Sequence, residues 1–206
     1  MANQLERRFT HADAKVEFKA DAAPGESKVQ GYASVFNSYY EDPMFKEVIR
    51  PGTFSRALKE EQDVRSLIDH EPTLIIGRTK SHTLKLVQDE RGLYASTSLP
   101  DTTYANDLRA KMSRGDVDGM SFGFVVKDER WGTQDGKLFR EILDVDLFDV
   151  SVVTYPAYPA TSANLRSQLD ILESGKKFLE EHRTAAPDVG AYIASIEKYL
   201  ATIERL

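Results

Sequence analysis

The sequence predicts an α+β protein with a strand-rich middle and a helical end. Between Val29 and Thr154, short runs rich in Val, Ile, Phe and Tyr alternate apolar with polar residues, as half-buried strands do. The turns between these runs are short, which favours antiparallel connections. After residue 160 the composition shifts to helix formers. We therefore predict a mainly antiparallel strand core with two inserted helices, followed by a helical C-terminal tail.

The first half of the predicted core begins after a polar segment that ends in DAAPGESK. We predict that residues 1–28 form a flexible arm and that the first strand runs from Val29 to Phe36. The segment KEVIRPGTFSRALKEE predicts a strand, a turn at Pro51-Gly52 and a short helix capped by Thr53. Two-residue alternation from Val64 to His70 then places His70 at the end of a strand.

The second half of the core contains the clearest helix. Three further strands are expected first: Leu74–Gly77, Thr83–Val87 and Gly92–Leu99. A helix should begin after Thr102 or Thr103 and run to about Arg114, with Gly115 placed to end it. A strand from Met120 to Lys127, a hairpin turn at Asp135-Gly136 and a long strand from Glu141 to Thr154 complete the core.

The tail carries an apolar helix face. Ile193, Ile196, Leu200 and Ile203 recur at three- and four-residue steps, which is typical of an amphipathic helix. This face either packs against the strands of the same chain or forms a contact with a second copy or another partner.

Composition excludes several classes of function. With 206 residues, 41% hydrophobic and 29% charged, the chain fits one folded domain with an appendage. It contains no cysteine, which excludes disulfides, thiolate nucleophiles and cysteine-ligated metals. The net charge of −6 gives no general basis for binding nucleic acid. No apolar run or N-terminal signal suggests a membrane or secretion, so we expect a cytoplasmic protein.

Three residues are candidates for catalysis. His70 is the only histidine within an apolar strand pattern; the alternative is a structural histidine. Ser121 lies in DGMSFGFVV, where Ser121 and Gly123 make one strand face unusually bare. That bareness leaves room for a substrate strand, or else for close packing of two sheets. Asp149 shares an alternating face with Leu143, Val145, Leu147 and Val153.

An ionised carboxylate on such a face is costly unless it is paired, and histidine is its natural partner in a Ser-His-acid mechanism. A metal-dependent hydrolase using His70 and His82 is a further alternative. The sequence has no tight ligand pair such as H-E-x-x-H. We expect neither a metal nor an organic cofactor.

Five segments, in order, resemble the caudovirus prohead protease family, which is distantly similar to herpesvirus assemblin. They are VQGYASVFN, EVIRPGTFSRAL, LIDHEPTLIIGRT, GLYASTSLPDTTYANDLRAKMSRGDVDGMSFGF and LFDVSVVTYPAYPAT. The resemblance implies a small β-barrel with surrounding helices, a protease domain over residues 29–160 and a helical tail over 161–206. It also implies a serine endopeptidase acting in the host cytoplasm inside the assembling prohead. Its expected substrates are the scaffolding segment of the major capsid protein and its own termini.

The resemblance matches His70 to the family's histidine and Ser121 to its serine. Asp149 stands where Glu is expected more often, and the herpesvirus relatives use a second histidine in the third role. Either the backbone approaches more closely here or another acid, Glu71 or Glu141, takes the role. Oxyanion donors are expected from Phe122–Gly123 or from the loop after Asp149. A catalytically silent assembly or scaffolding protein with the same fold is the alternative function.

Overall fold

The computed structural model describes residues 5–9, 17–19, 27–135, 137–154, 162–182 and 189–203. The strands are β1 (Glu6–Phe9), β2 (Glu17–Lys19), β3 (Lys28–Val35), β4 (Tyr39–Glu41), β5 (Phe45–Ile49), β6 (Arg65–Ile68), β7 (Glu71–Arg78), β8 (Leu84–Gln88), β9 (Gly92–Ser98), β10 (Gly119–Gln134) and β11 (Lys137–Val153). The helices are α1 (Ser55–Lys59), α2 (Thr103–Arg114), α3 (Ser162–Glu181) and α4 (Val189–Ile203), with a short 3-10 helix at Thr79–Ser81. The α+β class predicted from the sequence is confirmed.

The strands form two sheets. One has the order β1-β10-β11-β5-β4, with β6 paired to β11 and β7 paired to β6; the other has the order β2-β3-β9-β8. Most pairs are antiparallel, but β11 runs parallel to β5 near its start and to β6 near its end. In the described residues neither sheet closes on itself, so the expected closed barrel is not confirmed. One edge of β11 is divided between two short strands instead of meeting one continuous neighbour.

The main hydrophobic core lies between the two sheets. Its largest buried side chains include Phe54 from the segment before α1 and Phe122 and Phe124 from β10. The phenyl rings of Phe122 and Phe124 stack with centroids 4.8 Å apart. Because these two residues point into the core, the residues that alternate with them on β10 point to the other face, where Ser121 lies.

A bulge in β11 changes the face on which Asp149 lies. Gly123 pairs with Asp149 and Phe124 pairs with Leu147, so Phe148 is an extra residue without a partner in the ladder. Val145 and Leu147 lie in the same core as Val150 and Val152, although strict alternation would separate them. The prediction that Asp149 shares a face with Leu143, Val145 and Leu147 is therefore wrong, because the bulge reverses the alternation.

The C-terminal helices cover a second, smaller core. Ile171, Leu172 and Leu179 of α3 and Ile196 of α4 are buried against Phe45 and Leu138, and Ile193 and Leu200 pack against them. The apolar face of α4 is thus used inside the chain, which favours the first of the two interpretations of this face. The side chain of Ile203 lies outside the described residues. No helix in the described part of the chain is long and apolar enough to span a membrane.

Two local predictions differ in outcome. The helix predicted to end at Gly115 does so: Gly115 has φ +80° and its N–H bonds to helix carbonyls, as expected of a left-handed C-terminal cap. The predicted cap by Thr53 is wrong, because α1 begins later. The Thr53 hydroxyl instead lies 2.6 Å from the carbonyl oxygen of Arg50 and 2.9 Å from that of Ile142, and can donate its proton to either.

The segment expected to be a flexible arm contains two strands. β1 pairs antiparallel with β10 and β2 pairs antiparallel with β3. The rest of residues 1–28, apart from the short stretches given above, lies outside the described residues. The division of the chain at residues 28 and 160 stays a prediction.

Candidate active site

Ser121 lies near the start of β10, with a neighbouring strand on each side. It pairs with Ser151 of β11 on one side and with Phe9 of β1 on the other, and it is completely buried. Its hydroxyl points away from the hydrophobic core, onto the face that also carries Gly123. A serine in this setting has a fixed backbone, so the position of Oγ depends only on its rotamer.

His70 reaches this face from a tight turn. Asp69 and His70 form the two-residue connection between β6 and β7, with φ values of +50° and +57°. Positive φ at both positions matches a type I′ hairpin turn, and Asp and His are, with Asn, the non-glycine residues that adopt this conformation most often. The Asp69 carboxylate accepts hydrogen bonds from the backbone N–H of Thr154 at 2.8 Å and from its hydroxyl at 3.2 Å. The turn is thereby tied to the end of β11.

The three predicted residues form one chain of contacts. His70 Nε2 lies 2.6 Å from Ser121 Oγ, and His70 Nδ1 lies 2.5 Å from Asp149 Oδ1. The Ser151 hydroxyl donates to the same Asp149 oxygen at 2.6 Å and lies 3.1 Å from His70 Nδ1. All four side chains are buried, so water does not compete for these hydrogen bonds.

Gly123 leaves the space that the side chain of Asp149 occupies. A Cβ atom at this position would lie 2.2 Å from Asp149 Oδ2 and 3.1 Å from its Cγ, so the carboxylate occupies the space that any other residue would fill. The bare strand face seen in the sequence is therefore used by an acid of the same protein. Asp is shorter than the Glu expected at this position. Because its cross-strand partner Gly123 has no side chain, the Asp149 carboxylate can lie directly against β10.

The alternative residues lie elsewhere. Glu71 is exposed and accepts from Thr73, while Glu141 binds Arg50 Nε at 2.6 Å. His82 is exposed at the end of the 3-10 helix. Among the described residues no group of three His, Asp or Glu is placed to hold a metal ion.

The other histidines lie outside the candidate site or outside the described residues. His182 is exposed and stacks on Phe178, and His11 lies outside the described residues. β11 continues past Asp149 to Val153, and the loop that follows the strand lies outside the described residues, so donors from that loop stay a prediction. Donors from Phe122–Gly123 stay a prediction.

β1 covers the candidate nucleophile. The Ser121 hydroxyl lies 2.9 Å from the carbonyl oxygen of Arg8 and is oriented to donate to it. The phenyl ring of Phe9 meets the imidazole of His70 edge-on, with centroids 6.5 Å apart. The hydroxyl has one proton, so it can donate either to this carbonyl or to the imidazole at any moment.

A cluster of four buried charges lies on the opposite face of β1. It comprises Glu6 and Arg8 of β1, Glu47 of β5 and Arg140 of β11. We call it the charge cluster. Burial alone would raise the pKa of Glu47, but the guanidinium groups of Arg8 and Arg140 outweigh this and hold the pKa below its ordinary value. Glu47 is therefore ionised in the fold.

Sequence reasoning missed Ser151, Asp69 and the charge cluster. Ser151 had a signal, because it stands two residues after Asp149 in a strand and so shares its face. Asp69 adjoins His70, but no sequence pattern indicates its hydrogen bonds to Thr154. The charge cluster gave no local signal, since its members are distant in the chain.

A buried serine hydroxyl, imidazole and carboxylate in consecutive contact are the arrangement by which serine proteases activate their nucleophile. The family model described as caudovirus prohead serine protease matches residues 14–174. The prohead protease of Enterobacteria phage HK97 is 32% identical over 175 residues, covering 83% of this chain and 73% of that protein. The chain belongs to the caudovirus prohead serine protease family, and it is a serine protease of prohead maturation.

The fold resembles that of a protein whose structure has been solved. The structure of the bacteriophage T4 capsid assembly protease aligns with a TM-score of 0.50 over 74% of this chain and 98% of that one. At 11% identity this likeness concerns the fold alone.

Proposed function

We propose that Ser121 is the nucleophile of this protease, His70 its general base and Asp149 the acid that orients the base. The observation that carries the proposal is the unbroken contact chain, 2.6 Å from serine to imidazole and 2.5 Å from imidazole to carboxylate.

The chemistry follows from these positions. Ser121 Oγ attacks the carbonyl carbon of the scissile bond while its proton passes to His70 Nε2. Asp149 accepts the Nδ1–H, which fixes the tautomer and stabilises the imidazolium. When the C–N bond breaks, His70 gives the proton to the leaving amine and an ester remains on Ser121. Water then attacks the ester, loses its proton to His70, and the released serine takes that proton back.

For the substrates, we propose the scaffolding segment of the major capsid protein and the N-terminal segment of the protease itself. Capsid assembly is part of the printed name of the T4 neighbour, and the HK97 relative is a prohead protease. The carbonyl of Arg8 at 2.9 Å from Ser121 Oγ supports the second substrate. The reaction would take place in the host cytoplasm, inside the assembling prohead. We do not extend the proposal to a homodimer through α4, because Ile196 is fully buried within the chain.

The test is co-expression with the major capsid protein of the same virus, read by intact mass spectrometry. Wild type should give shortened capsid protein and Ser121→Ala should not. Ser96→Ala is the matched control, since Ser96 lies on the other sheet, where its hydroxyl accepts from Gln30; it should behave as wild type. Unchanged masses in all three samples, with shells assembled, would favour the catalytically silent scaffolding function instead.

A further inference from the structure

β1 binds to β10 in the manner of an added strand. Phe9 pairs with Ser121, Arg8 with Phe122 and Glu6 with Phe124. Edge-strand addition is a common way for proteins to bind extended peptides, with the backbone giving affinity and alternate side chains giving specificity. The carbonyl oxygen of Arg8 lies 2.9 Å from Ser121 Oγ, so the peptide bond after residue 8 lies beside the candidate nucleophile.

The side chain of Arg8 enters a pocket built by the body of the protein. Its guanidinium pairs with both oxygens of Glu47, through Nε to Oε1 and through Nη2 to Oε2 at 2.9 Å. It also lies over the rings of Tyr40 and Phe124, 5.5 and 5.6 Å from their centroids. Glu47 is only 1% exposed, so a cation is the ligand that this pocket is built to receive.

Glu6, two residues earlier, points to the same side because side chains alternate along a strand. Its carboxylate is held by Arg140, from Nη1 at 2.8 Å and from Nη2 at 2.9 Å. Arg140 also donates to Glu47 at 2.9 Å and to Glu129 at 2.6 Å. The body of the protein therefore presents a carboxylate and a guanidinium, spaced to meet a base and an acid two residues apart on one strand.

We propose that β1 lies where the substrate strand binds, and that Glu47 and Arg140 select an extended segment with an acidic residue two positions before a basic one. Cleavage follows the basic residue: its carbonyl carbon bonds to Ser121 Oγ as its bond to the next residue breaks. This inference rests on the proposed function and adds its specificity.

The physical basis of the selection is the cost of an unpaired buried charge. Backbone pairing with β10 is available to any sequence, so it gives no discrimination. A neutral residue opposite Glu47 would leave that carboxylate with one guanidinium instead of two in a site closed to water. Removing one partner from a buried, hydrogen-bonded charge pair typically costs about 2–5 kcal/mol, or roughly 30-fold or more in affinity.

The test uses the full-length protease and a peptide with the sequence of residues 3–12, NQLERRFTHA, with products identified by mass spectrometry. Cleavage is expected after the arginine that corresponds to Arg8. Peptides with Arg8→Gln or Glu6→Gln should lose about 30-fold or more in kcat/KM. The matched control is Arg7→Gln, which removes the same charge from a side chain on the opposite face and should cost less than about five-fold. All changes are in the peptide, so the fold of the enzyme is untouched.

The outcomes separate the two levels of the proposal. Cleavage of the capsid protein by the same enzyme sample serves as the positive control. If capsid protein is cut but the peptide is not, or if all three substituted peptides are cut equally well, the specificity inference is overturned while the protease assignment stands. If neither is cut, the proposed function fails first.

Discussion

Gly123→Ala should inactivate the enzyme without unfolding it. The added Cβ would lie 2.2 Å from Asp149 Oδ2, far inside the contact distance of about 3.5 Å between heavy atoms, so the carboxylate must retreat by about 1 Å. That movement breaks the 2.5 Å contact with His70 Nδ1. A misplacement of about 1 Å costs roughly 100-fold, and loss of the acid's function in a serine protease costs about 10,000-fold in kcat. We therefore expect kcat to fall by between those two factors.

The assay is cleavage of purified capsid protein, with circular dichroism and thermal unfolding as checks on the fold. Gly132→Ala is the matched control: Gly132 lies on the same strand and its added Cβ meets nothing within 4 Å, so activity should be unchanged. Asp149→Asn adds no volume and should lower kcat by about 10,000-fold, which sets the upper limit for the loss in Gly123→Ala. A folded Gly123→Ala enzyme with activity within about five-fold of wild type would refute the reasoning, because a 1 Å shift of a triad member must cost more.

Three further changes probe the surroundings of the site. Ser151→Ala removes a 2.6 Å donor to Asp149 and should lower kcat by about 10- to 100-fold, since hydrogen bonds to charged groups contribute about 1.5–3 kcal/mol; steady-state kinetics with unchanged KM would check it. Asp69→Ala frees the turn from Thr154 and should lower kcat, whereas Asp69→Asn, which keeps an acceptor, should lower it less. Glu47 has a folded pKa below its ordinary value, so its contribution to stability is complete above about pH 4.3 and is lost as the pH falls through the folded pKa. Urea unfolding between pH 6 and pH 3 should show this loss in wild type and a smaller one in Glu47→Gln; equal pH dependence would contradict it.

Ser121 and Asp149 became catalytic candidates because the sequence at each departs from an ordinary strand pattern. Gly123 leaves a strand face bare, and Asp149 places a carboxylate among Val, Leu and Ile. These departures mark positions where packing alone does not explain the residue. The resemblance to the family then indicated that Ser121, His70 and Asp149 belong to one site, and the structure brings the three side chains into contact.

The face of Asp149 was not predictable, because a bulge leaves composition and alternation unchanged on either side. Phe148 is the extra residue, and at 45% exposed it is an aromatic side chain left outside the core. Only the pairing with β10 fixes where the extra residue falls. The expected β-barrel is not confirmed, and the sequence cannot decide it for a related reason: the pairing of strands that are distant in the chain is set by the whole sheet.

The strand β1 was not predictable either, since ERRF looks like a solvated segment. Glu6 and Arg8 are buried only because Glu47 and Arg140 neutralise them. Those partners come from β5 and β11, more than thirty positions away in the chain. Burial of such charges is intelligible only after the fold is known.

We propose that the charge cluster fixes which peptide bond lies beside Ser121. Replacing a buried ion cluster by apolar residues is often neutral or stabilising, so stability alone does not account for two glutamates and two arginines in this place. Register does. A slip of β1 by one residue would turn Arg8 to the other face, and a slip by two would bring Glu6 against Glu47, two like charges in a buried site. Only the observed register gives each of the four charges an oppositely charged partner. In that register the carbonyl oxygen of Arg8 lies 2.9 Å from Ser121 Oγ.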